Sequence, residues 1–193
     1  MFTALLDTCV LWPSLQRDVL LSLAAEGMYR PAWSSVILAE LEYEEAAKLT
    51  RRGGVAPADA DHRAAHLIHR MRQAFDDAEI TGWEGLEGTY GLPDPDDEHV
   101  VAAAVVAGAG AIITLNTKDF PATLLPSGLE TLRPAEFAAN TVALDPRRAL
   151  HAIRTIAGRT GARGPARTAA ELLDILVRRY GFDDAVDQLR SIQ

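Results

Sequence analysis

DPDDEHVVAAAVVAGAGAIIT, Asp94 to Thr114, is the stretch whose reading decides the fold. Three acids in four positions precede a run of small and β-branched residues, Val100 to Ala109, that reads as a helix. It stops at Gly108-Ala109-Gly110 and feeds the apolar strand Ala111 to Thr114. A helix that passes through glycine straight into a buried strand is the repeating step of an α/β protein.

Working outward, Thr3 to Leu6 reads as a short buried strand ending at Asp7-Thr8, followed by a leucine-rich helix from Asp18 to Ala25 stopped by Gly27. Ser34 or Ser35 caps a second helix running to about Lys48, with Glu44 and Lys48 four apart on its outer side. Arg51 to Ala56 reads as a linker, and Pro57 opens a third helix with Ala65, Ile68, Met71 and Phe75 at helical spacing. Glycines 82, 85, 88 and 91 and Pro93 mark a loop-rich stretch preceded by one short strand around Ile80. Beyond Thr131-Leu132, Pro134 begins a helix to Asn140, and three more follow around Ala149–Ile156, Ala169–Tyr180 and Ala185–Ile192. The expected class is α/β with a mostly parallel sheet covered on both faces, residues 1–140 forming one domain and 141–193 a helical C-terminal extension. No internal repeat and no low-complexity segment appears.

With 193 residues, 48% of them hydrophobic, the chain can bury one substantial core. No run approaches the roughly 18 apolar residues of a membrane span. Met1-Phe2-Thr3 leads into a strand without a basic signal-peptide region, so a cytoplasmic protein with no membrane partner is expected. Cys9 is the only cysteine, which excludes disulfide frameworks and cysteine zinc sites and reads as a small buried hydrophobe. The net charge of −8 argues against a nucleic-acid partner. It is unevenly spread, with 10 Lys+Arg against 21 Asp+Glu in residues 1–140 and 9 against 6 in 141–193.

Four acids sit where chemistry is favoured. Open parallel sheets bind ligands beyond the carboxyl ends of their strands, and Asp7 follows a strand directly; its other reading is a turn former or helix cap. Glu40 falls on the line Val36, Glu40, Tyr43, Ala47, which is otherwise apolar or aromatic and should face inward, while Glu42, Glu44 and Glu45 fall on solvated faces. A carboxylate on such a line is costly unless a cation or donors meet it, and an arginine pair is the structural alternative. Asp97 heads the line Val100, Val101, Ala104, Gly108, and one of Asp94, Asp96 and Asp97 serves as the helix cap. Asp119 follows the strand ending at Thr114, where a turn role competes. Converging, these acids would repel one another severely without a cation. Hard oxygen donors suit Mg²⁺ or Mn²⁺, which lowers the pKa of a bound water and stabilises charge on phosphorus during phosphodiester cleavage.

Leu5-Leu6-Asp7-Thr8, Trp33-Ser34-Ser35 to Ile37-Leu38-Ala39-Glu40, Leu92-Pro93-Asp94-Pro95-Asp96-Asp97-Glu98-His99-Val100, and Ile113-Thr114-Leu115-Asn116 to Asp119-Phe120-Pro121 resemble, in order and spacing, PIN-domain proteins. The resemblance covers roughly residues 3 to 140 and is closest to the VapC-like branch, ribonuclease toxins of toxin–antitoxin pairs. It implies a three-layer α/β/α fold, metal-dependent endonucleolytic cleavage of RNA, a cognate antitoxin that plugs the site, and a homodimer. Carried over by position, it makes Asp7, Glu40 and Asp97 the core acids with Asp119 as an auxiliary fourth. Asp7, Asp97 and Asp119 would hold Mg²⁺ or Mn²⁺, and Glu40 would position or deprotonate the attacking water. Asp94 would support the site, and Thr8 or Asn116 would touch a metal-bound water or phosphate. Asn116 stands where some members place an aspartate, so the fourth ligand is Asn116 or Asp119 and the number of metals is open.

Other signals carry less. His62, His66 and His69 share a helical face without an acid at ligand spacing and read as a polar flank. Gly108-Ala109-Gly110 is too short for a dinucleotide fingerprint. Asp7-Thr8-Cys9-Val10 lacks the glycine of an aspartic protease and the second aspartate of an aspartate-nucleophile phosphatase. Arg147, Arg148, Arg154, Arg159, Arg163 and Arg167 read equally as an RNA-binding or a merely solvated helix surface. Two other functions stay open, a catalytically silent module that holds RNA or a protein and a DNA nuclease or phosphatase on the same scaffold.

Overall fold

A computed structural model describes residues 1–161 and 164–192; Arg163, one of the arginines singled out above, lies outside the described residues. Contacts divide the chain into two compact units.

The sheet unit comprises Phe2–Trp12 and Pro31–Thr131. Its strands are β1 (Thr3–Leu6), β2 (Arg30–Ser34), β3 (Glu79–Ile80), β4 (Ala111–Ile113) and β5 (Glu130–Leu132), in the order β3-β2-β1-β4-β5. β1 pairs in parallel with β4, Leu5 facing Ile112, and β2 in parallel with β3. All four residues of β1 and all three of β4 are buried, as expected of central strands covered on both faces. The chain runs outward from β1 to β3 and then returns across the sheet to β4. Right-handed crossovers therefore put α3 (Ser35–Gly53) and α4 (Pro57–Ala74) on one face and α5 (Glu98–Ala107) on the other. The reversal of strand order lies between β1 and β4, where an open α/β sheet offers its crevice.

Most expected elements of this unit are present, with physical reasons for the differences. β2 is absent from the sequence reading because Pro31 argues against a central strand; it stands near the strand's start, where its missing N–H is tolerated. α3 continues through the expected linker to Gly53 and ends on Gly54 in the left-handed conformation (φ 61°). Its buried side is Ile37, Leu38, Leu41 and Glu45. The inward line through Glu40 and Tyr43 is thus incorrect: Tyr43 is 74% exposed and Glu40 is exposed too. Glu45, expected in solvent, is buried and pairs with Lys48, which also donates to the Trp12 carbonyl. Lys48 therefore looks inward to Glu45 rather than outward to Glu44, which lies near Arg51. On α4 the buried positions are Ala60, Ala64, Ile68 and Met71, so Ala65 is exposed, one residue out of phase with the expected line. His62, His66 and His69 are exposed. α5 is buried from Glu98 to Ala104 and closes on Gly108 (φ 63°), a conformation that disfavours any side chain.

The helical unit comprises Pro13–Arg30 and Leu132–Gln193 with Met1. Here α2 (Ser14–Ala25) and α6 (Pro134–Leu144) pack with α7 (Pro146–Arg159), α8 (Ala169–Tyr180) and α9 (Asp183–Arg190). The C-terminal helices thus share a core with an early helix, through Leu23, Val142, Ile153, Leu176 and Val186. Asp145 caps α7 through the Arg148 N–H, and Thr168 with Glu171 forms a capping box on α8. Tyr29 stacks edge-on against Phe137 at 4.8 Å and donates to the Leu20 carbonyl. No helix among the described residues is long and apolar enough to cross a membrane.

Candidate active site

Each candidate acid belongs to the sheet unit: Asp7 and Asp97 sit at element ends, Glu40 in the second turn of α3 and Asp119 in the turn after β4. Asp7 follows β1, and its N–H donates to the Ile113 carbonyl, extending the ladder by one residue. It occupies the N-cap position of the four-residue helix α1 (Thr8–Leu11), yet its side chain makes no capping bond. Instead one carboxylate oxygen accepts from Thr114 Oγ1 at 2.6 Å and from Cys9 Sγ at 3.0 Å. Both donors meet Oδ2, leaving Oδ1 without a donor among the described residues. Cys9 is not the inert hydrophobe expected: burial first, and then the Asp7 charge, push its thiol up to about 12, so it remains a donor.

Glu40 lies on the exposed side of α3, and its Oε2 accepts from Thr8 Oγ1 at 2.6 Å. Its Oε1 is 3.9 Å from Nε2 of His99, whose Nδ1 lies 3.2 Å from Ser34 Oγ. Ser34 also caps α3 by accepting the Ile37 N–H. Burial lowers the His99 pKa against the opposing pull of Glu40 and Asp7, so the imidazole facing Glu40 is neutral at pH 7.

Asp97 holds the N-cap position of α5 without a side-chain capping bond, whereas Asp94 caps the preceding turn by accepting the Asp96 N–H at 3.0 Å. The capping reading therefore belongs to Asp94, and the Asp97 carboxyl is spare. Burial, then the charges of Asp7, Asp94, Asp119 and Glu40, raise its pKa from 3.8 to about 7. Residues remote in sequence thus press on one carboxyl group. Asp119 accepts from Asn116 Nδ2, and the Asn116 N–H donates to Thr114 Oγ1. Asn116 and Asp119 are therefore coupled members of one turn.

The structure accordingly gathers Asp7, Glu40, Asp97, Asp119, Thr8, Asn116 and Asp94 around the carboxyl ends of β1 and β4. It does not draw them into a finished shell: among the described residues no group of three or more His, Cys, Asp or Glu is placed to hold a metal ion. The donor chemistry still fits a hard divalent cation, since every acid offers oxygen and Asp97 is ringed by negative charge that such a cation would neutralise.

Sequence reasoning missed Thr114, Ser34 and His99 as partners of these acids, and Glu98 as the builder of the loop before them. Thr114 directly follows β4, as Asp7 directly follows β1, a correspondence visible in the sequence. Glu98 is 3% exposed and accepts the N–H groups of Tyr90 at 3.0 Å and Leu92 at 2.9 Å. Burial pushes its pKa up, but these backbone donors outweigh that and hold it below the ordinary glutamate value. Its contribution is present above about pH 4 and is lost as pH falls through the depressed folded value. Glu98→Ala should lower stability by about 2–3 kcal/mol, the worth of charge-assisted bonds whose backbone partners are left unsatisfied. Denaturant melting at pH 7 reads this, and a midpoint equal to wild type would show that the loop does not depend on Glu98.

The fold and the gathered acids together define an α/β protein with an acidic site beyond the carboxyl ends of its strands. A family profile for the PIN domain matches residues 3–118, and the chain belongs to the PIN-domain family. PIN domains are usually nucleases, which sets a hydrolase acting on nucleic acid as the coarse functional class. No curated protein and no solved structure matches the chain significantly.

Proposed function

We propose that this chain is a Mg²⁺- or Mn²⁺-dependent endoribonuclease of the VapC-like branch, the toxin of a type II toxin–antitoxin pair. Its partners are an RNA substrate and a cognate antitoxin protein, and it works in the cytoplasm as a homodimer. The nuclease site is assigned to the sheet unit, and residues 141–193 form the larger part of the helical unit, together with residues 13–30 and 132–140. The observation that carries the reading is the convergence of Asp7, Asp94, Asp119 and Glu40 on Asp97, a concentration of negative charge that a cation would relieve.

In this mechanism Asp7, Asp97 and Asp119 would hold the metal. When bound, the metal supplies a water of lowered pKa and charge stabilisation at phosphorus. Thr114 and Cys9 fix the Asp7 carboxylate by donating to one oxygen, which leaves the other for the cation. Thr8 orients Glu40, which accepts a proton from the attacking water at its exposed carboxylate. Ser34 holds the His99 ring against Glu40. Asn116 steadies Asp119, and Asp94 shapes the turn that delivers Asp97.

The test offers the purified chain single-stranded RNA, single-stranded DNA and a phosphomonoester side by side in Mg²⁺. Internal RNA cleavage, abolished by EDTA and restored by excess Mg²⁺, is expected; cleavage of DNA or the monoester alone would reject the assignment. Asn116, standing where some members place an aspartate, and the net charge of −8 favour a second reading, a catalytically silent module that binds RNA or protein. That module leaves all three substrates intact.

A further inference from the structure

The two units differ in charge. The sheet unit carries 7 Lys+Arg against 18 Asp+Glu, and the helical unit 12 against 9. A nuclease whose catalytic unit has a net charge of −11 repels its polyanionic substrate, so cations elsewhere must supply affinity. From Pro146 to Ala170 the sequence holds six arginines and no acid, the densest such run in the chain.

α7 organises the first part of that run. Ala149, Leu150, Ala152, Ile153 and Ile156 are its buried side. The opposite side is exposed, with Arg147, His151 and Arg154 on one line at i, i+4 and i+7 and with Arg148 and Arg159 beside it. Arg148 is held by Asp145 and the Glu26 carbonyl, and Arg159 by Ser22 Oγ. The nearby acids are engaged as well, Glu26 lying 3.8 Å from His151 and Asp145 capping the helix. Arg147 and Arg154 have no ion-pair or hydrogen-bond partner among the described residues. Two guanidinium groups about 10 Å apart along a rigid helix, with no acid to neutralise them, are a surface for a repeating anion.

We propose that the outer face of α7 is a phosphate-backbone binding surface for single-stranded RNA, with Arg147 and Arg154 as its principal contacts. The choice of RNA over an acidic protein segment rests on the nuclease reading above; the cationic face itself does not.

The experiment measures fluorescence anisotropy of a labelled single-stranded oligoribonucleotide against KCl concentration, in the full chain bearing Asp97→Asn so that the RNA stays whole. Changing Arg147 and Arg154 together to glutamine should weaken binding at low salt about tenfold or more. It should also flatten the slope of log affinity against log salt by about 1.4, the release expected for two phosphate contacts on a single strand. Arg147→Lys with Arg154→Lys should restore the slope, because lysine keeps the charge. An unchanged slope in the glutamine variant overturns the proposal, as does an equal loss in the lysine variant. Tight binding of polyglutamate with the RNA slope unaltered also overturns it and makes the face a protein-docking surface. The two readings fail separately: a chain that never cuts RNA but shows the slope change keeps this surface, and one that cuts RNA with an unaltered slope loses it.

Discussion

Replacing Asp97 by asparagine is expected to abolish RNA cleavage while making the metal-free chain more stable. The loss should be about a thousandfold or greater, since the charge stabilisation a metal supplies is worth several kcal/mol and each 1.36 kcal/mol is about a decade in rate. The gain in stability follows from the same carboxyl. In the folded chain Asp97 keeps its proton up to about pH 7, because of burial and the charges of Asp7, Asp94, Asp119 and Glu40, whereas unfolded it ionises near its ordinary 3.8. The folded state therefore binds the extra proton between those values, and stability falls as pH rises from about 4 to about 7. Asparagine removes that slope. The carboxyl is partly exposed, so the penalty is discounted to about 1 kcal/mol, or roughly 2–4 °C in Tm for a chain of this size. Melting curves in EDTA should differ by that amount at pH 8 and coincide near pH 4. A variant that melts below wild type at pH 8, or cuts RNA at the wild-type rate, would show that Asp97 is a structural acid.

Mg²⁺ or Mn²⁺ is expected to raise the melting temperature of the wild-type chain by about 5–10 °C at saturating concentration. Ligand at a hundredfold excess over its Kd adds about 2.7 kcal/mol by mass action, at roughly 2–4 °C per kcal/mol. The shift should be larger at pH 8 than at pH 6, because the cation must displace the proton Asp97 holds in the acid range. Asp7→Asn should lose most of it, since Asp7 offers a carboxylate oxygen that no donor among the described residues occupies. Calorimetry or a dye-based melt with each metal, and with K⁺ at matched ionic strength, gives the measurement. A shift that K⁺ reproduces would be general screening of the acidic unit, and no shift would leave the silent binding module as the function of this fold.

The sequence by itself determined the fold class and the short segments that carry the site. The glycine stop after Val100–Ala107, the buried runs Thr3–Leu6 and Ala111–Ile113, and the acids that follow or precede them are local signals. Each depends on residues a few positions apart, as do Pro57 opening α4 and the interval Ala169–Tyr180 for α8. Which side of a helix is buried was less legible. On α3 the choice between Glu40 and Glu45 turns on Lys48 and the Trp12 carbonyl, groups that reach Glu45 only after folding. β2 was hidden by a proline that is harmful in a strand interior and harmless near its start.

Tertiary structure decided the remainder, because the relevant energies are long-range in sequence. Thr114 reaches Asp7 across 107 positions and Thr8 reaches Glu40 across 32. The spare carboxyl among Asp94, Asp96 and Asp97 is identified only by seeing that Asp94 makes the capping bond and Asp97 does not. Composition showed a chain of net charge −8. Its division into an acidic sheet unit and a cationic helical one, with α2 placed among the C-terminal helices, is a property of packing: apolar faces choose their partners by shape and area, without regard to order along the chain.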